Sequence, residues 1–189
     1  DDFASLNKAA LRKDYLDELG LPNQNKTILI FGGSIGAHRI NDAVIKAADV
    51  WEKLGWNVIH SVGFNNSTNS IGKNYRGISY ISDMANAYAS ADFVISRSGA
   101  VTCAELMAVG VPALLIPLDI GNGEQSKNAA ELVRTGQAEL VNNSEFSDIW
   151  LRTNLKRVID ATRARDIPSA RHAAAKIGAE ALKLIKVSK

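Results

Sequence analysis

The sequence predicts an α/β fold: a Rossmann-like, doubly wound domain with a mainly parallel sheet of six strands. Segments typical of strands alternate with segments typical of helices, which is the pattern of parallel strands joined by right-handed crossovers. The strand cores 28–31, 93–96 and 113–116 run apolar without alternation. Strands with this pattern are buried on both faces, so we expect helices on both sides of the sheet.

The elements are predicted in chain order from hydrophobic periodicity and from helix-breaking residues. The first helix, 5–22, ends at Gly20 and Pro22, a usual stop signal, and we assign 1–22 to a helix and linker segment before a domain at 23–189. A polar, glycine-containing stretch at 64–77 is predicted to be a loop. The predicted strands are 26–33, 56–63, 77–82, 93–96, 113–116 and 137–143. The later helices are predicted at 36–55, 83–91, 126–136, 147–164 and 169–187, with one more between the fourth and fifth strands.

The composition excludes several classes of protein. Hydrophobic residues make up 46% of the chain and charged residues 22%, which is globular rather than disordered. The net charge of +2 is too small to indicate a nucleic-acid partner. Cys103 is the single cysteine, so an internal disulfide is impossible and a reducing compartment is favoured. The three histidines lack metal-ligand spacing and no Asp-x-Asp pair occurs, so we expect neither a metal nor a cofactor.

A glycine-rich turn, "GGSIGA" at 32–37, follows the first strand. Ligands in such sheets bind beyond the carboxyl ends of the strands, and glycines there let a phosphate approach the backbone N–H groups. Ser34 adds a hydroxyl donor. The turn is neither G-x-G-x-x-G nor a P-loop, and the second strand ends without the acidic residue that would hold a NAD ribose. A phosphate or diphosphate site is therefore favoured over a dinucleotide site, and a turn that serves packing alone stays open.

A second polar turn, "RSGAVTCAE" at 97–105, follows the fourth strand. Thr102 and Glu105 are three residues apart, and T-x-x-E also matches a capping box, which needs no ligand. Arg97 at a strand end must find an anion or reach solvent, and pairing with Glu105 would satisfy it. A nucleotide would use all of these groups: the helix start for phosphate, Arg97 for charge or stacking, and Glu105 for ribose hydroxyls.

A third turn, "DIGNGEQSKN" at 119–128, follows the fifth strand. Gln125 and Asn128 can hydrogen-bond to sugar hydroxyls, whereas Glu124 can do so only as an acceptor. A solvent-exposed loop with acidic residues at a helix start is an equally good interpretation of this stretch alone.

Together, "ILIFGGSIGAHRIN", "YISDMANAYASADFVISRSGAVTCAE" and "GNGEQSKNA" resemble the MurG family, the UDP-N-acetylglucosamine transferases that convert lipid I to lipid II in peptidoglycan synthesis. The resemblance covers nearly the whole chain but only the carboxyl-terminal half of such proteins. It implies one half of a GT-B glycosyltransferase that binds the donor UDP-N-acetylglucosamine. The lipid-linked acceptor and the general base would belong to an amino-terminal domain absent here, so this chain is expected to be inactive alone. The full-length protein would lie in the cytoplasm, at the cytoplasmic face of the membrane.

The resemblance also assigns roles to residues, position by position. The backbone around Ile81, with Met84 nearby, would read the uracil edge, and Arg97 would pack on or near the base. Glu105 would accept hydrogen bonds from the ribose. The family often has a Gln pair where this chain has Glu124-Gln125. The diphosphate would meet Ser34, Ala100, Val101 and Thr102, with Ser34 and Thr102 stabilising the leaving group, and the sugar would meet Glu124, Gln125 and Asn128.

Two other functions stay open on the sequence. One is a two-chain transferase, in which a separate donor-binding chain meets a membrane-bound acceptor subunit. The other is a non-catalytic, nucleotide-binding Rossmann module. Preference for UDP over NAD would favour a transferase donor domain.

Overall fold

Six parallel strands in the order β3-β2-β1-β4-β5-β6 form the centre of the structure, a computed structural model that describes residues 2–33, 37–64, 66–68, 71–118 and 123–164. This order is that of a doubly wound sheet. The strands are β1 Thr27–Phe31, β2 Asn57–Ser61, β3 Tyr75–Ile78, β4 Phe93–Ser96, β5 Ala113–Leu115 and β6 Ala138–Leu140. The helices are α1 Asp2–Glu18, α2 His38–Lys46, α3 Ala48–Leu54, α4 Met84–Ser90, α5 Ala100–Val109, α6 Glu124–Asn128, α7 Ala130–Arg134 and α8 Asp148–Ala161.

The prediction of a six-stranded, doubly wound α/β domain is confirmed, and all the described strand pairs are parallel. Side chains along each strand alternate between two apolar clusters. Ile28 and Ile30 of β1 join α2, α3 and α8 on one face, whereas Leu29 and Phe31 join α1, α4, α5 and α7 on the other. Because helices cover both faces, the side chains of β1, β2, β4 and β5 are buried on either side, which explains the continuous apolar runs.

Several predicted boundaries are wrong. β3 lies at Tyr75–Ile78, mostly inside the stretch predicted to be a loop, because Tyr75 pairs with Val58 and is 1% exposed. The long helix predicted at 36–55 is broken at Ala47, and that predicted at 126–136 begins at Glu124 and is broken at Ala129. The helix predicted at 169–187 lies outside the described residues.

The first helix packs onto the sheet. Leu16 is completely buried in the cluster shared with α4 and α5. The Arg12 guanidinium donates to the carbonyls of Ser90 and Asn25, the latter at 2.7 Å, and pairs with Asp92 at 3.0 Å. These contacts tie α1 to the segments that lead into β1 and β4, so α1 helps to hold the central strands. The domain boundary placed at residue 22 stays a prediction.

A buried polar chain joins α2 to β2 and β3. His60, which is completely buried, lies 2.6 Å by Nδ1 from the Tyr75 hydroxyl and 3.0 Å by Nε2 from Asn41 Oδ1. Asn41 Nδ2 in turn donates to the carbonyl of Val62 at 2.7 Å. Burial lowers the pKa of His60 from 6.5 to about 4. The neutral imidazole therefore accepts from Tyr75 and donates to Asn41, and it has no place for a second proton.

Acid is expected to destabilise the fold through His60. In the unfolded chain the imidazole takes a proton as the pH falls below about 6.5, whereas in the folded chain it stays neutral down to about pH 4. Its contribution to stability is therefore fully present above pH 6.5 and is lost as the pH falls toward 4. Between pH 7.5 and pH 5 the free energy of unfolding should drop by about 2 kcal/mol from this group.

Urea unfolding across this pH range checks the expectation. His60→Gln keeps an amide that can donate and accept, so the variant should lose the pH-dependent part while the other titrating groups act equally in both proteins. Parallel pH dependences of the two proteins would contradict the assignment. NMR titration of the wild-type imidazole provides a check that does not depend on whether the variant folds.

Candidate functional site

The candidate site lies where the strand order reverses, between β1 and β4. Phe31 pairs with Ser96 in the parallel register, so both strands end at the same level. The turns that follow, beginning at Gly32 and Arg97, therefore lie side by side at the carboxyl edge and lead to helices on opposite faces. Such a reversal opens a crevice that binds ligands in doubly wound sheets.

The first turn needs its glycines for backbone reasons. A Cβ on Gly32 would lie 2.8 Å from the backbone nitrogen of Ala37 and would also overlap the Ala37 side chain. Gly33 has φ of +104°, a region that side chains other than glycine rarely adopt. Close packing of the turn against the start of α2 thus accounts for Gly32, as the packing interpretation expected. Ser34, expected to meet a diphosphate, lies outside the described residues.

The second turn leaves the start of α5 without a side-chain cap. Gly99 is the N-cap residue, and the Cys103 N–H makes a helical bond of 2.9 Å to its carbonyl. The capping-box interpretation of Thr102 and Glu105 is wrong, because the helix begins at Ala100 and both residues lie inside it. Ala100 and Val101 are exposed, the latter by 71%. The first turn of α5 therefore lies at the surface without a side-chain cap, and the positive end of a helix favours an anion.

Arg97 extends across the ends of neighbouring strands. Its Nη1 donates to the carbonyl of Ile116 at 3.0 Å and to Asn143 Oδ1 at 2.7 Å. A backbone carbonyl and an amide oxygen thus supply acceptors for this guanidinium. Pairing with Glu105 is not the arrangement found, since that carboxylate bonds to Tyr88. The contact of Arg97 with a uracil ring stays a prediction.

Glu105 is held by a buried tyrosine. The Tyr88 hydroxyl donates to Glu105 Oε2 at 3.0 Å, and Tyr88 is only 4% exposed. The Tyr88 ring also meets Phe31 edge to face, with 6.1 Å between centroids. Burial first, and then the Glu105 charge, raise the pKa of Tyr88, so the hydroxyl keeps its proton and remains a donor.

The segment before α4 contains the residues expected to read uracil. Asp83 caps the helix by accepting from the Asn86 N–H at 3.0 Å. Ile81 is 4% exposed and belongs to the core cluster, and Met84 packs against that cluster. The Ile81 side chain is thus used for packing, and only its backbone remains as a polar group for recognition. This placement agrees with the expected backbone role, which stays a prediction.

The third turn is tied to the second by two amide side chains. Gln125 Oε1 accepts from the Leu118 N–H at 2.9 Å, and Asn128 Nδ2 donates to the Ser98 carbonyl at 3.2 Å. Glu124 is exposed at the start of α6. Gln125 Nε2 and Asn128 Oδ1 have no partner among the described residues, so these atoms can bond to hydroxyl groups of a ligand.

Sequence reasoning missed three residues near the site. Tyr88 holds Glu105, Asn143 binds Arg97, and the Ser98 hydroxyl oxygen is buried without a hydrogen-bond partner among the described residues. Tyr88 follows Met84 by four residues on α4, a spacing that puts both side chains on one side of the helix. This spacing could have indicated that Tyr88 lies near the site. Asn143 and Ser98 gave no comparable signal.

A cavity of about 450 Å³ lies at the opposite, amino-terminal edge of the sheet, beside Arg12, Asn25 and Asp92. Among its charged lining residues, Arg12 and Asp92 bond to each other and to the backbone, and Lys8 and Lys26 are the others. The described residues contain no group of three or more metal-ligating side chains. Within the same residues, no helix combines the length and apolar character needed to cross a bilayer.

Residues 27–185 match the glycosyltransferase family 28 C-terminal domain. The chain belongs to this family. A UDP-N-acetylglucosamine--N-acetylmuramyl-(pentapeptide) pyrophosphoryl-undecaprenol N-acetylglucosamine transferase of Thermobifida fusca (strain YX) is 39% identical over 181 residues, which is 93% of this chain and 47% of that protein. The protein of the same description from Corynebacterium diphtheriae is 50% identical over 129 residues, covering 68% and 36%. The chain thus spans about half the length, or less, of these curated relatives.

Solved glycosyltransferases share the fold. Acinetobacter baumannii MurG superposes with a TM-score of 0.64 at 25% identity, over 90% of this chain and 52% of that one. The calicheamicin glycosyltransferase CalG4 gives a TM-score of 0.61 at 18% identity, over 85% and 44%, and supports the fold alone. The resemblance to the carboxyl-terminal domain of the MurG family and the expected half of a GT-B glycosyltransferase are confirmed.

Replacing Arg97 is expected to weaken the family 28 domain even without a ligand. Arg97→Met removes the charged donor shared by Ile116 and Asn143, and we expect a loss of roughly 2 kcal/mol in the free energy of unfolding. Asn143→Ala should lower the free energy of unfolding by less than Arg97→Met does. The double variant should lose less than the sum of the two single losses, because both changes remove the same bond. Urea denaturation of the four proteins without nucleotide measures this coupling. Additive effects would show that the Arg97–Asn143 bond contributes nothing.

Proposed function

We propose that this chain is the donor-binding domain of an inverting glycosyltransferase that moves N-acetylglucosamine from UDP-N-acetylglucosamine to lipid I, giving lipid II in peptidoglycan synthesis. The observation that carries the proposal is the pairing of two groups on α5: an uncapped helix start and, further along the same helix, the Glu105 carboxylate held by one oxygen. Diphosphate and ribose are the adjoining parts of a nucleotide that these two groups suit. The sugar and the acceptor are those in the names of the related transferases.

The helix start would receive the diphosphate. Backbone N–H groups of Ala100, Val101 and Thr102 point out of the first turn, with the Thr102 hydroxyl and Ser34 as further donors. The interaction of an anion with a helix end is worth about 0.3–1 kcal/mol when exposed and up to ~2 kcal/mol when partly buried. Negative charge grows on UDP as the glycosidic bond breaks, so preorganised donors stabilise the leaving group without a proton transfer.

The remaining parts of the donor would meet the neighbouring turns. The uracil edge would bond to the backbone near Ile81, with Met84 and Arg97 against the base, and Glu105 would accept from the ribose hydroxyls. The sugar would contact the third turn, where Gln125 Nε2 and Asn128 Oδ1 have no partner among the described residues. Glu124 would act there as an acceptor only.

The acceptor side of the reaction would belong to the part of the relatives that this chain does not match, which is half or more of their length. That part would hold the lipid-linked acceptor, supply the general base for inversion and contact the cytoplasmic face of the membrane. Glu105, the carboxylate on α5, is not assigned as that base, because it is committed to Tyr88 and the proposed ribose.

Nucleotide binding by residues 1–189 tests the donor-binding role. Isothermal titration calorimetry should show binding of UDP and UDP-N-acetylglucosamine but not of NAD. Glu105→Ala should weaken UDP binding by about tenfold or more, because it removes an ionised acceptor. Arg97→Ala should also weaken it, provided that the variant is folded. Glu52→Ala, which removes an exposed carboxylate on α3, is the matched control and should bind as wild type does.

Other binding outcomes point to other functions. Binding of NAD in place of UDP would overturn the donor role, and absence of all binding would favour a structural role. If Glu105→Ala binds UDP as tightly as wild type, the ribose assignment is wrong.

Residues 1–189 are expected to transfer no sugar on their own, because the acceptor and base are assigned to the unmatched half. Incubation with UDP-N-acetylglucosamine and a lipid I analogue, followed by chromatography of the lipid, measures transfer. A matched full-length MurG-type enzyme serves as the positive control. Transfer by this chain alone would contradict the division of labour. Transfer that appears only after a separate acceptor chain is added would favour a two-chain enzyme.

A further inference from the structure

Tyr88 and Glu105 form a side-chain bond between two helices that contact different parts of the candidate site. Tyr88 lies in the middle of α4, whose start follows Ile81 and begins with Met84. Glu105 lies on α5, whose start is the uncapped turn. The phenol joins them by the 3.0 Å bond to Glu105 Oε2.

We propose that Tyr88 is a positioning residue for ribose recognition: its buried phenol holds the Glu105 carboxylate by Oε2 so that Oε1 faces the ribose hydroxyls. This inference rests on the proposed donor-binding function and adds to it a residue that touches no part of the ligand. No other described side chain bonds to the carboxylate, so Oε1 is the acceptor left for a ligand. Without the bond from Tyr88, rotation about the side-chain bonds of Glu105 would let Oε1 occupy several positions.

The surroundings of Tyr88 make it a rigid anchor. Its ring is buried in the cluster that includes Cys103 and Leu106 of α5, and it contacts Phe31 at the end of β1. A side chain packed in this way keeps one rotamer, so the hydroxyl stays in one place. Preorganisation of a recognition group by a fixed neighbour lowers the entropy lost when the ligand binds. The phenol also takes one acceptor site of Oε2, so Oε1 is the oxygen with both of its sites open.

The alternative is a purely structural role, in which Glu105 only accepts the hydrogen bond of the buried Tyr88 hydroxyl. In that case loss of the hydroxyl would affect stability, and any effect on binding would be the same for ligands with and without ribose hydroxyls. Positioning predicts the opposite pattern: the effect on binding should require both the ligand hydroxyls and the Glu105 carboxylate. The two roles can therefore be separated by changing the ligand as well as the protein.

The experiment is calorimetric titration of residues 1–189 with UDP and with 2′,3′-dideoxyuridine diphosphate. Tyr88→Phe removes one oxygen and keeps the ring contact with Phe31, so the variant should fold. It should weaken UDP binding about fivefold, the effect of losing one hydrogen bond, and change dideoxyuridine diphosphate binding by less than about twofold. In the Glu105→Ala background, Tyr88→Phe should change UDP binding by less than about twofold, because the group it positions is gone.

Tyr75→Phe is the matched control. Tyr75 is also buried, and its hydroxyl bonds to His60 at 2.6 Å, so this change removes a comparable buried hydrogen bond away from Glu105. It should lower the melting temperature as Tyr88→Phe does but leave the preference for UDP over the dideoxy ligand unchanged. A loss of preference in Tyr75→Phe equal to that in Tyr88→Phe would assign both effects to general loosening and overturn the inference.

The remaining outcomes separate this inference from the proposed function. If wild type binds UDP and Glu105→Ala weakens it but Tyr88→Phe does not, the donor-binding function stands and the positioning role is wrong. Equal binding of UDP and dideoxyuridine diphosphate by wild type removes the ribose role of Glu105, and the positioning role with it. If wild type binds no UDP, the proposed function fails and the inference falls with it. An unfolded Tyr88→Phe, detected by circular dichroism, would show that the hydroxyl is required for folding and overturn a positioning role.

Discussion

The parallel register of β1 against β4 is the constraint on which the candidate site depends. Because Phe31 pairs with Ser96, the glycine turn and the α5 turn leave the sheet at the same level and on opposite faces. A shift of one residue would turn every strand side chain toward the wrong core cluster, so the two-sided apolar core enforces this register. The same burial that stabilises the sheet therefore sets the level at which the two turns leave it.

Side chains then lock the turns that the register brings together. Arg97 spans from β4 to the carbonyl of Ile116 after β5 and to Asn143 after β6, and Asn128 joins α6 to the Ser98 carbonyl. These bonds also satisfy backbone carbonyls at the strand ends, where the ladder stops. A polar cluster at this edge is thus required in part by the fold, and a ligand can use only the atoms that the fold leaves open.

The sequence predicted the strands that are buried on both faces, because their apolar runs differ from everything around them. It failed for β3, whose Tyr75 and Arg76 stand in a polar, glycine-containing stretch and become a strand only by pairing with β2. T-x-x-E suggested a cap, but Gly99 starts the helix instead. The acceptors of Arg97 could not be predicted, because they lie 19 or more positions away in the chain. The bond from Tyr88 to Glu105 could not be predicted either, because it depends on the direction of side chains on two different helices.

The polar side chains proposed to bind the donor share one feature: one atom of each is anchored by the fold. Glu105 Oε2 accepts from the Tyr88 hydroxyl, Gln125 Oε1 accepts from the Leu118 N–H, and Asn128 Nδ2 donates to the Ser98 carbonyl. Each side chain has two polar ends, so one end can hold it in place while the other stays open. A group anchored in this way loses less rotational freedom on binding than a free one. This is why residues with forked, two-atom heads suit the edge of a sheet whose own backbone also needs partners: the same side chain can complete the fold and still offer an atom to a ligand.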